Sequence, residues 1–250
     1  MPSIELHNVS VAFPIYSAGH RSLKNAMLSV TTGGRIGNDA QRVVIQALDQ
    51  VSFSFNAGDR VALIGHNGAG KTTLLRVLAG IYEPRAGWIS IDGRVTPVFD
   101  VNLGIDPERT GYENIILRGL YLGLTKAQIV ERRDGVAEFT ELGPFLDLPV
   151  RTYSAGMLAR LAFAMATCIE PDILLLDEGI GAGDAEFLER ANVRLDQFIS
   201  KAGILVLASH SVDLVRKLCT KAVLMEHGRL VRSGELEDVL RDYRERQGLA

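Results

Sequence analysis

The sequence predicts an α/β fold: a parallel sheet covered by helices on both faces, with an antiparallel β region at the N-terminus and an inserted α-helical subdomain. Three observations predict it. The continuous apolar runs at 173–176 and 204–208 are strand-sized, as strands buried on both faces require. They alternate with helical patterns at 185–200 and 212–218, the order expected of crossover connections. A block that is helical throughout, from about 111 to 166, interrupts this alternation.

In chain order, residues 4–13 alternate apolar and polar, which suits a half-buried strand. Residues 14–42 break the pattern with Pro14, Ser17, Gly19, Gly33, Gly34 and Gly37, and read as a loop insert in which 22–30 fits a short amphipathic helix. Long structureless insertions are uncommon in compact domains, which favours a functional loop over a merely flexible one. Strands are expected at 43–48, 51–55 and 60–64, the last running into a glycine-rich turn and a helix at 71–79. Residues 88–91 and 95–99 read as a hairpin over Asp92-Gly93, and 223–226 with 230–232 as another over His227-Gly228. The charged segment 235–246 reads as a solvated helix with i,i+4 pairs. The expected organisation is one domain, 1–250. Its core is 1–104 with 166–250, its helical subdomain 105–165, and its insert 14–42.

The bulk numbers bound the function. With 250 residues and 47 % apolar content there is material for a full core. The net charge of −3 implies no strongly basic surface, so nucleic acid is not the default partner. Cys168 and Cys219 are too few for a disulfide framework and are expected to be idle thiols. No apolar run approaches the ~18 residues of a membrane-spanning helix, and residues 1–5 lack the features of a signal peptide. The expectation is a soluble or peripheral protein whose membrane role, if any, runs through a partner.

Gly65-His66-Asn67-Gly68-Ala69-Gly70-Lys71-Thr72 fits the phosphate-loop pattern G-x-x-x-x-G-K-[ST], and it lies between a strand and a helix. Backbone N–H groups and the helix N-terminus favour anions there, and glycines let the backbone approach without a Cβ in the way. Lys71 is expected on the β- and γ-phosphates and the Thr72 hydroxyl on Mg²⁺; Thr73 completes the cofactor-binding run. The strand, phosphate loop and helix resemble those of P-loop NTPases, and the resemblance implies a RecA-like parallel core. A second element is the apolar strand ending in Asp177-Glu178. A carboxylate there is costly unless compensated, and Mg²⁺ compensates it. Asp177 is the expected Mg²⁺ carboxylate, direct or in the outer sphere, and Glu178 the general base that polarises the attacking water.

Tyr153-Ser154-Ala155-Gly156-Met157, opening an apolar helix, resembles the signature motif of ATP-binding cassette proteins, usually Leu-Ser-Gly-Gly-Gln. The ordered set continues with Gly183-Asp184, similar to the family's interface loop, and with Ala208-Ser209-His210, similar to its switch histidine. The resemblance implies an ATP- and Mg²⁺-dependent ATPase. It also implies a dimer in which Ser154, Ala155 and Gly156 of one copy close over the ATP held by the other. Asp184 would lie at that interface and His210 on the γ-phosphate. Phe13 resembles the ring that stacks on adenine, although it could equally pack in the core; Tyr16 is the alternative ring. No Asn-Lys-x-Asp guanine motif is present, which favours ATP. The sequence departs from the family twice: Asp100 stands where a Mg²⁺-touching Gln is usual, and Met157 replaces the signature Gln.

Finer details, Pro107-Glu108-Arg109-Thr110-Gly111-Tyr112-Glu113-Asn114, the acidic run from Asp177 to Phe187 and Arg21-Ser22-Leu23-Lys24 in the insert, resemble the ATPases of bacterial polysaccharide exporters. That group moves lipid-linked O-antigen, capsule or wall teichoic acid. The resemblance implies a separate integral-membrane permease as partner, and a peripheral place at the cytoplasmic face of the inner membrane. Some O-antigen members carry an extra C-terminal carbohydrate-binding domain. The chain ending at Ala250 leads to an expectation of export without that recognition by this subunit. Rival readings are a cassette for another exported substrate, a soluble cassette of translation or repair, and a regulatory cassette without turnover. The paired Lys71, Asp177, Glu178 and His210 disfavour the last.

Overall fold

The computed structural model describes residues 1–14, 35–39, 42–98, 104–177 and 185–248. The chain forms two compact units, one of Met1–Thr96, Asp172–Glu178 and Gly203–Ala250, the other of Pro97–Pro171 and Gly179–Ala202.

The first unit holds two sheets. An antiparallel sheet has the order β2-β3-β1-β5, with β1 at Ser3–Pro14, β2 at Arg35–Asp39, β3 at Arg42–Asn56 and β5 at Ala86–Asp92. Ile4, Leu6, Val9 and Val11 of β1 are all buried, yet the step from Leu6 to Val9 is out of phase with a two-residue repeat. A bulge restores the phase. Asn8 and Gln50 adopt positive φ (50° and 52°), and their N–H groups donate to Ser52 Oγ and Ser10 Oγ. β3 is therefore one bulged strand where the sequence suggests two. The strand β2 lies within the segment expected to be a loop insert and pairs with β3 from Arg35↔Gln46 to Asp39↔Arg42. The helix expected at 22–30 falls outside the described residues.

The second sheet has the order β10-β9-β4-β8-β7-β6. Its centre is parallel: β4 (Arg60–Ile64) lies between β8 (Ile204–Ala208) and β9 (Lys221–Glu226), and β7 (Ile173–Asp177) flanks β8. Burial on both faces explains the continuous apolar runs: Val61, Leu63, Leu174 and Val206 have no exposed surface. β10 (Arg229–Glu235) returns antiparallel to β9 across His227 and Gly228, both at positive φ, as a two-residue hairpin turn requires. The hairpin expected at Asp92-Gly93 does not form. β5 pairs with β1 (Ile4↔Ile91), whereas β6 (Val95–Val98) joins the parallel sheet. The Asp172 carboxylate accepts from Arg94 N–H, and Arg94 O accepts from Ile173 N–H, which draws the chain after Gly93 onto β7. Helices α1 (Lys71–Leu78), α6 (Val212–Leu218) and α7 (Leu236–Arg246) complete this unit.

The second unit is helical: α2 (Gly111–Tyr121), α3 (Lys126–Thr140), α4 (Ala155–Ala166) and α5 (Ala185–Lys201). Capping boxes Thr110/Glu113 and Thr125/Gln128 start α2 and α3. Ile115, Val136, Leu146, Leu161 and Met165 form its core. Phe139, Phe163 and Phe187 pack on one another, and the guanidinium of Arg194 lies 4.1 Å from the Phe139 ring centroid.

Candidate active site

The site is built where β4 gives way to α1. The turn needs glycine at defined points. A Cβ on Gly65 (φ 151°) would stand 2.2 Å from Met225 O, and one on Gly70 (φ 104°) 2.8 Å from Ala47 O. Gly228 N–H donates to Ala69 O, which fastens the loop to the β9–β10 turn. His66 Nδ1 bonds to Asn67 O, and its ring lies 4.8 Å from that of His227. Gly70 caps α1 in the left-handed conformation, so the first N–H groups of the helix open onto the loop.

Lys71 is buried, 9 % exposed, and its Nζ donates to Gly65 O (2.6 Å) and His66 O (3.1 Å). A buried ammonium needs such acceptors. Thr72 Oγ1 donates to Asp177 Oδ2 at 2.9 Å, a contact between residues 105 apart in sequence. The phosphate loop and the strand-end acid, separate motifs in the sequence, thus meet in one place.

They line a cavity of about 370 Å³ whose wall includes Phe13, Ala47, Gly68, Ala69, Gly70, Thr73 and His210. Phe13 is half-buried, lines this cavity and meets Tyr82 edge-on at 5.1 Å. The strand residues Ile45 and Gln46 also line it. Nothing in their local sequence marks them; only the pairing of β3 with β1 brings them here. Gly65, His66 and Asn67 form the start of the loop, with Asn67 exposed.

In the helical unit, Ser154 caps α4 and accepts from Met157 N–H at 3.2 Å. Ser154 and Ala155 are exposed, and a Cβ on Gly156 would meet nothing closer than Ser154 Oγ at 3.9 Å, so this helix start presents an open surface. The preceding segment is fixed by the 107–114 run. The buried Asn114 donates through Nδ2 to Asp106 O, Arg109 O and Thr110 O, while its Oδ1 accepts from Asp106 N–H. Arg109 O and Pro107 O in turn accept from Val150 and Arg151 N–H. Gly111 is required because a Cβ would lie 2.5 Å from the Tyr153 hydroxyl. That hydroxyl donates to Phe145 O, and burial pushes its pKa up. Asn114 and Gly111 are thus the framework of the signature helix, a role their resemblance motif does not reveal. Glu178, Asp184, Asp100 and Tyr16 lie outside the described residues.

A family model described as ABC transporter matches residues 48–181. The chain is 50 % identical to "O-antigen export system ATP-binding protein RfbE" of Yersinia enterocolitica, over 91 % of this chain and 96 % of that protein. It is 38 % identical to "O-antigen export system ATP-binding protein RfbB" of Myxococcus xanthus, over 92 % of this chain and 52 % of that protein. Among solved structures, one described as "Structure of ATP binding subunit of ABC transporter" superposes with a TM-score of 0.68 at 25 % identity, covering 98 % of this chain and 93 % of that one. A dimeric cassette, MJ0796 bound to ADP and Pi, superposes with a TM-score of 0.65 over 93 % of this chain and 98 % of that one; at 21 % identity the likeness is one of fold.

Proposed function

The chain belongs to the ABC transporter family as an ATP-binding subunit, and from that premise we propose that it drives export of a lipid-linked polysaccharide of O-antigen type through a separate membrane permease. It is an ATPase. The observation that carries the site assignment is the meeting of Thr72, Lys71 and Asp177 at one cavity. The substrate class rests on the relatives named O-antigen export ATP-binding proteins, and the reading places the chain peripherally at the cytoplasmic face of the inner membrane.

In this reading Lys71 exchanges the carbonyls of Gly65 and His66 for the phosphates of ATP. The first N–H groups of α1 receive the same anion. Phe13 offers its open face to adenine. The donor set fits Mg²⁺: a hydroxyl and a carboxylate oxygen 2.9 Å apart are hard oxygen ligands of the kind that ion takes. Thr72 and Asp177 would hold the ion, with Asp100 as a further acid. When bound, Mg²⁺ neutralises charge on the phosphate oxygens. Glu178, next in sequence after Asp177, polarises the attacking water, and His210 contacts the γ-phosphate. Ser154, Ala155 and Gly156 of a second copy, with Asp184 at the seam, close the site.

The test is ATP hydrolysis by the purified chain, with and without the membrane protein encoded beside its gene, together with a pull-down of the two. Copurification with altered turnover supports the exporter reading. Turnover by the chain alone, with no membrane protein bound, leaves the ATPase and removes transport. Glu178→Gln is expected to slow turnover by about 100-fold or more while ATP still binds; unchanged turnover would remove the general-base assignment.

A further inference from the structure

Behind the nucleotide cavity lies a second one of about 430 Å³, within the size range of small-molecule sites. His210 lines both cavities, so it forms part of the wall between them. Gly65, whose carbonyl oxygen accepts from Lys71 Nζ, lines the second as well. The opposite wall is the C-terminal helix α7, with Leu240 buried and Tyr243 half-buried, and Val215 of α6 is buried beside them.

The charges on α7 single out one residue. Arg241 pairs with Asp238, and Arg246 with Asp242 and Glu226. Arg244 lines the cavity, and among the described residues no carboxylate lies within ion-pair distance of it. The nearby Glu237 is hydrogen-bonded by Arg216, whose guanidinium, with a weaker attraction from Arg244, holds its carboxyl below the usual carboxylate range. An apolar, partly aromatic chamber with the exposed Arg244 guanidinium at its edge suits a ligand with an apolar body and an anionic end.

We propose that this cavity is an allosteric site for a small anionic amphiphile, which restrains His210 from behind and slows hydrolysis without displacing ATP. The proposal rests on the ATPase reading for its effect on turnover, but not for the binding itself. A bound ligand touches His210 and the first residue of the phosphate loop, and leaves the adenine and phosphate surfaces of the other cavity open. Binding to the nucleotide-loaded protein alone does not require movement of Phe13, Thr72 or Asp177.

The probe is 8-anilinonaphthalene-1-sulfonate, an aromatic body with one sulfonate. Its fluorescence titration is expected to show one saturable site on the native chain, undiminished by saturating ADP. ATP turnover should fall at saturating probe with KM for ATP unchanged. Arg244→Glu, a surface change remote from the nucleotide, should weaken the probe by about tenfold or more and relieve inhibition in parallel, with basal turnover kept. Leu240→Trp, which fills the chamber, should abolish the site, with circular dichroism confirming the fold. Displacement of the probe by ADP, or equal binding by Arg244→Glu and the parent, would overturn the proposal. If the parent hydrolyses no ATP, the function above fails, while the titration and the Arg244 variant still decide the site.

Discussion

In the proposed function the two units share one task, holding a polyanion at a helix N-terminus, and they are built for it in opposite ways. At α1 the ligand groups are assembled in advance. Lys71 is buried and bonded, Thr72 and Asp177 are joined at 2.9 Å, and three neighbouring backbone contacts fix the loop. At α4 the helix start is exposed, the Ser154 side chain among the described residues bonds Met157 N–H of its own helix, and a Cβ on Gly156 would meet nothing closer than 3.9 Å. In the proposed site, one half is thus preassembled at α1, whereas at α4 the described residues supply a framework alone. That asymmetry suits a site finished by a second copy. It also assigns different costs to mutation: at α1 chemistry fails, at α4 assembly fails.

The largest effect should come from Lys71→Ala. Removing the buried ammonium leaves Gly65 O and His66 O without its bonds and, in the proposed site, removes the cation that meets the phosphates. Turnover is expected to fall by about 1,000-fold, with ATP affinity weakened in an equilibrium titration. Parent-like turnover would break the preassembled half of the comparison. Next is Asn114→Ala, which strips the 106–110 turn of three donated bonds and one accepted bond. It should cost about 2–3 kcal/mol in denaturant unfolding of the helical unit, and turnover should drop with it because the segment before Ser154 loosens. Ser154→Ala removes an exposed cap worth about 1 kcal/mol. Its effect on turnover should far exceed that on stability, which separates ligand closure from helix capping. Smallest is Arg229→Ala. The pair with Asp49 is half exposed, so the loss should stay under about 1 kcal/mol and shrink further in salt.

Most of the first unit was legible because its signals are local. The phosphate loop carries its glycines within eight residues, and the buried strands carry continuous apolar runs. What was hidden depends on distant partners. Asn8 and Gln50 take positive φ although neither is glycine, because the bulge keeps Val9 and Val11 on the buried face. Asp92-Gly93 looks like a hairpin turn locally, but β5 finds β1, some eighty residues earlier, and Asp172 takes the chain beyond. Ile45 and Gln46 reach the nucleotide cavity only through strand pairing. Of the site, Lys71, Thr72, Thr73, Asp177, His210 and Phe13 come together at one cavity. Ser154, Ala155 and Gly156 belong to the helical unit, where sequence alone signals a cap as readily as a ligand site.

The central claim is that each ATP site is shared between copies, with Lys71 from one and Ser154 from the other. It is tested most directly by mixing two inactive variants, Lys71→Ala and Ser154→Arg, under conditions that let subunits exchange. A shared site predicts that the mixed dimer regains one intact site, because Lys71 of the second variant meets Ser154 of the first. Equal mixing should then restore about a quarter of parent turnover, since half the dimers are mixed and each has one working site of two. Turnover that stays at the level of the separate variants, with exchange confirmed, would mean that each chain must supply both residues itself, and would contradict the account.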